Sequence, residues 1–68
     1  MQLNQNQKNA QKAVVGLAAQ FNQSENPELI LQMKNLLKGA GLTLNKAGIP
    51  PEHIQLVKQH WDSVSVPA

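Results

Sequence analysis

The 68-residue chain reads as an all-α protein, a small three-helix bundle with room for a fourth short helical turn near residues 42–47. Three observations predict this. Apolar residues recur at the i, i+3, i+4, i+7 spacing of a helical face in three separate runs. Proline and asparagine stand where two of the helices begin, and glycine stands where one ends. No segment offers a strand with an evident partner; the tail "SVSVPA" alternates but closes on a proline.

The first helix is expected in "NQKNAQKAVVGLAAQFNQ". Ala10, Ala13, Val14, Leu17, Ala18 and Phe21 share one face there, and Leu3 joins it if the helix reaches back that far. The small residues on this face allow a neighbouring helix to approach closely. Gly16 projects from the opposite side at a cost of about 1 kcal/mol relative to alanine. The end is expected near Asn22.

The second helix, in "QSENPELILQMKNLLKGAG", has the clearest boundaries. Asn26 is a good N-cap, Pro27 suits the first helical position, and Glu28 favours the positive end of the helix dipole. Leu29, Ile30, Met33, Leu36 and Leu37 form a broad apolar stripe. Lys38 sits in the last turn, and Gly39 is expected at the left-handed closing position.

The link "AGLTLNKAGI" is broken by Gly41 and Gly48, yet Leu42, Leu44, Ala47 and Ile49 need burial. A helical turn around Thr43 to Ala47 meets that need, as does a loop pinned by its leucines. In "GIPPEHIQLVKQHW" a third helix starts at Pro50 or Pro51, with Glu52 in its first turn. Ile54, Val57, Trp61 and Val64 fall within about 80° of one another at about 100° per residue, which makes a core face containing the indole.

Residues 1–68 are one helical domain, with 1–5 and 65–68 expected to fray. A domain of this size buries only about 60% of the surface its unfolded chain exposes. Its core seldom supplies more than about 3–5 kcal/mol. No cysteine is present, so helix packing, self-association or a partner must supply what disulfides supply elsewhere.

Composition narrows the function. The net charge of +2 comes from six lysines without an arginine, and charged residues make up only 15% of the chain. That is well under the typical level of about 25%, so polyanions are steered weakly. Bidentate clamping of phosphate or guanine is absent with arginine. No run approaches the roughly 18 apolar residues of a membrane span. The start "MQLNQNQKNAQK" does not read as a secretory signal. A cytoplasmic protein of bacterial or phage type is expected.

Catalysis has little to draw on. There are four acidic residues and neither tyrosine nor cysteine; no nucleophile, base and orienter fall in a recognisable spacing. No enzyme activity and no cofactor are expected. His53 and His60 lie seven apart on one flank of the third helix, on either side of Leu56. A zinc site wants three or four protein ligands, and no H-E-x-x-H motif is present, so no metal is expected either.

Binding is the better expectation. Val15, Leu31 and Leu56 each project away from their helix's core face. Single exposed apolar residues are ordinary, but one per helix in so short a chain points to a second buried surface. The expected partner-binding set is His53, Leu56, Gln59 and His60 on the third helix, with Leu31 on the second. The expected function is a non-enzymatic protein–protein interaction module, a regulator, adaptor or inhibitor, engaging another protein or a second copy as a homodimer. Two alternatives stand beside it. The stretch "LNKAGIPPEHIQLV" loosely resembles the helix-turn-helix pattern of DNA-binding regulators, which implies base contacts from His53, Gln55 and Gln59 and a phosphate contact from Lys58. Against it, such a helix reads bases with its N-terminal residues, and here those are Pro50, Pro51 and Glu52. The other alternative is a structural subunit of a larger assembly.

Overall fold

The first helix, α1, runs Gln5–Ser24 and begins on a reciprocal cap. The Asn4 side chain accepts from the Gln7 backbone N–H at 2.8 Å, and the Gln7 side chain accepts from the Asn4 N–H at 2.9 Å. Two otherwise orphaned donors are thereby satisfied. In the computed structural model, which describes residues 2–66, the head expected to fray therefore contains the helix start, and Leu3 rests against the core. Met1, Pro67 and Ala68 lie outside the described residues, and with them part of both expected frayed ends. The helix continues two residues beyond Asn22. Its closing bond runs from the Glu25 N–H to the Phe21 carbonyl at 2.6 Å, and Glu25 takes the left-handed conformation at φ 53°.

The second helix, α2, spans Pro27–Ala40, with the Asn26 side chain accepting from the Glu28 N–H at 3.0 Å. It closes on Gly41, at φ 68°, and not on Gly39. The reason lies in the paired bonds that end it. The Gly41 N–H reaches the Lys38 carbonyl at 3.3 Å and the Leu42 N–H reaches the Leu37 carbonyl at 2.8 Å. Such a closure favours an apolar contact between the residue after the left-handed one and the residue five before it. Closure at Gly41 pairs Leu42 with Leu37, both in the core. Closure at Gly39 would pair Ala40 with the exposed Asn35.

The fourth helical turn is a single 3₁₀ turn at Asn45–Ala47, ended by Gly48 at φ 73°. It tucks Ala47 fully inside the core, with Ile49 following. The third helix, α3, runs Pro51–Trp61 without a side-chain cap; the Pro50 carbonyl accepts from the His53 and Ile54 N–H groups at 2.9 and 3.1 Å.

Phe21, Ile30, Met33, Val14 and Val57 are the largest fully enclosed side chains. They come from all three helices. No polar or charged residue is buried among the described residues. The middle of this core is α1, which packs on α2, on α3 and on the 3₁₀ turn, whereas α2 and α3 meet over a short stretch. The molecule measures 31 × 29 × 15 Å. Its thin dimension corresponds to about one interaxial spacing of 8–10 Å plus the two helix radii, so it is two helices deep. The two wide dimensions leave broad faces.

Trp61 packs against the core, as its spacing from Ile54 and Val57 predicts, but at the edge and not in the centre. It is half-buried at the rim, with the Lys34 ammonium 5.0 Å from its ring centre. Lys34 also donates to the Val64 carbonyl, which ties the segment after α3 to α2.

Candidate interaction surface

The five residues expected to meet a partner are placed by the rotation of α3. Its one fully buried residue is Val57. At about 100° per residue, Ile54 and Trp61 lie about 40–60° to one side of Val57, and His53 and His60 lie about 40–60° to the other. The inner face is thus centred between the two groups. It takes in the histidines that the sequence reading assigned to an outer flank. His60 sets its ring edge-on against fully buried Phe21, with centroids 5.4 Å apart and planes at 68°. His53 is half-buried, and its Nδ1 is enclosed with no hydrogen-bond partner among the described residues. Leu56 also rests against the core, so it is not the off-face aliphatic the spacing implied. Gln59 is exposed on α3. Leu31 is half-buried on α2, outside the residues that pack on the core cluster. The five therefore do not form one outward patch.

A different surface is open. Between the N-terminal part of α1 and the C-terminal part of α2 lies a groove of about 460 Å³. Ala10, Ala13, Leu36, Gly39 and Ala40 make its small and apolar lining, and the exposed amides of Asn6, Asn9 and Asn35 stand around it. The groove exists because α1 presents alanines to α2 here, so the helix pair leaves space that larger side chains would fill. No lining residue is ionisable. Helical neighbours three and four residues on continue the strip. Along α1 these include Leu17, Gln20 and Gly16, with Lys12 at the edge, and back along α2 Gln32 and Leu29, with Glu28 beside them.

Two other depressions differ in kind. One, of about 280 Å³, includes Lys34, Lys38 and Trp61 among its walls. The other, of about 340 Å³, is formed by Gln2, Leu3, Gln7 and Lys46. Both carry ammonium groups. Among the described residues no three histidine, cysteine, aspartate or glutamate side chains gather closely enough to hold a metal ion. No described helix is long and apolar enough to cross a membrane.

The groove is not legible as a surface in the sequence, because Ala10 and Ala13 share the apolar face of α1 and Gly39 reads as a helix end. A usable signal was present nonetheless. Ala13, Leu17 and Gln20 on α1 and Gln32, Leu36 and Gly39 on α2 share that side of the helix pair without a charge among them, bordered by Lys12 and Glu28. No family model, no curated protein and no solved structure matches this chain.

Proposed function

We propose that the protein is a small non-enzymatic helical module, a regulator, adaptor or inhibitor, whose protein-binding surface is the groove between α1 and α2, taking another protein or a second copy of the chain. The observation that carries this reading is the groove's chemistry: an apolar lining within a ring of neutral amides, free of ionisable side chains. Interface centres are depleted of charged groups in the same way. Such a lining supplies no nucleophile, acid or base, and it suits apolar contact closed off by hydrogen bonds at the edge.

The test is capture from the native host with the wild-type chain and with Ala13→Lys. Ala13 is exposed, so the lysine is accommodated by the fold while it places an ammonium in the groove. A partner retained at both about 50 and about 200 mM salt, and lost with Ala13→Lys, supports the reading. Binding that collapses over that salt range supports a DNA-binding regulator instead. The outer side of α3, with exposed Gln55, Lys58 and Gln59, is the surface that alternative would use. Ahead of α3, however, stands only the three-residue 3₁₀ turn where a positioning helix is needed. A structural subunit of a larger assembly would retain groove-dependent binding but co-purify in fixed stoichiometry with that assembly.

A further inference from the structure

We infer that the occupant of the α1–α2 groove is a second copy of this chain, the two packed face to face about a two-fold axis; this rests on reading the groove as a protein-binding surface. Three observations favour a copy over an unrelated partner.

The first is electrostatic. A chain of net charge +2 repels its copies wherever lysines face one another, as Lys34 and Lys38 would across the depression beside Trp61. The groove lining itself carries no charge to set against its copy, and Lys12 and Glu28 at its borders are of opposite sign. The amides of Asn6, Asn9 and Asn35 each donate and accept, so they are complementary to themselves in a way that lysine is not. An isologous contact requires this self-complementarity.

The second is the unexplained absence of two side chains. Gly16 lies in the middle of α1, where glycine is less favourable than alanine, and Gly39 lies in the last turn of α2 without being its left-handed closing residue. A methyl group added at either would meet nothing within 4 Å. The isolated chain therefore has no packing need for them. Gly48 is the contrast, since a methyl there would come within 2.9 Å of the Gln11 amide. A helix arriving from a second copy makes use of the space that Gly16 and Gly39 leave.

The third is area. With 14 residues, α2 rises about 21 Å, and two helices side by side are about 20 Å across. Two such faces cover about 800 Å² in plane, and side-chain relief brings the accessible surface removed to about 1,000 Å², the lower bound for specific association. The expected dimer is therefore weak, with a dissociation constant of about 1–100 µM.

Sedimentation of the full chain from about 1 µM to about 1 mM reads this range directly. The mass is expected to rise from 7.4 kDa towards twice that value. Ala13→Lys and Gly39→Lys, both at exposed positions and checked for helicity by circular dichroism, are expected to weaken association at least tenfold. Gln55→Lys, on the exposed side of α3, is expected to leave it unchanged. A wild-type chain that stays single at the highest concentration overturns the inference, as does undiminished association of both groove variants. If the wild type stays single while Ala13→Lys abolishes capture of a host protein, the second copy is ruled out and the protein-binding groove stands. If Ala13→Lys changes neither, both readings fall.

Discussion

Three of the described residues hold the left-handed backbone conformation: Glu25 at φ 53°, Gly41 at φ 68° and Gly48 at φ 73°. For a residue with a side chain that conformation costs about 1–2 kcal/mol, while glycine adopts it freely but loses more entropy on folding, by about 0.5–1 kcal/mol. The same geometry therefore predicts opposite signs at two sites. Glu25→Gly is expected to stabilise the protein by about 0.5–1 kcal/mol, moving the urea midpoint up by about 0.2–1 M at the roughly 1–3 kcal/mol per molar typical of small domains. Gly48→Ala is expected to destabilise by about 0.5–1 kcal/mol, the strain less the entropy that alanine recovers. The added methyl meets only the flexible end of Gln11, so backbone strain dominates. A midpoint that falls for Glu25→Gly would show that the carboxylate contributes more at this corner than its backbone costs. The same residue explains a gap in legibility. Nothing in "FNQSEN" marks Glu25 as the closing position, because a glutamate there is tolerated and not preferred, and the helix end was accordingly placed early.

Element by element, the helices are secured unequally. Two have side-chain caps, at Asn4 and Asn26, and α3 has none. Buried side chains follow the same order: α1 holds Ala10, Val14, Ala18 and Phe21, α2 holds Ile30, Met33 and Leu37, and α3 holds Val57 alone. Regions with fewer buried apolar contacts open before the whole molecule does. Native-state hydrogen exchange is therefore expected to show residues 55–61 at least tenfold less protected than residues 14–21 and 33–37, a gap of about 1.4 kcal/mol or more in opening free energy. Equal protection throughout would mean that α3 is released only with the rest of the fold. What was readable from sequence follows this ranking. The start of α2 was legible because cap, proline and acidic residue coincide at Asn26, Pro27 and Glu28. The rotation of α3 was not, because His53 and His60 were counted as polar, whereas an imidazole presents an apolar body and a polar tip. With the rings restored to the inner face, its centre moves from between Ile54 and Val57 onto Val57.

At the scale of the whole molecule, each apolar stripe reports which side of its helix is inward, and three stripes suffice for the fold class. They say nothing of how the helices are splayed, which is why a structure measuring 31 × 29 × 15 Å, with an open groove on α1 and α2, was not legible in advance. That shape links stability to concentration. A core of this size supplies about 3–5 kcal/mol, so an association that stabilises each chain by even about 1–2 kcal/mol is a large fraction of the total. Binding to the folded state alone raises stability as the logarithm of the ratio of concentration to dissociation constant, reaching about 2.7 kcal/mol at a hundredfold excess of free ligand. For the wild-type chain, the urea midpoint is therefore expected to rise with protein concentration between about 1 µM and about 1 mM, by about 0.5–1 M. For Gly39→Lys the same series is expected to be flat. At the low-concentration end that variant should match or exceed the wild type, because lysine is the better helix former. The crossing of the two curves is the decisive feature. A variant that is merely misfolded lies below the wild type at every concentration, whereas one that has lost its second copy loses only the slope.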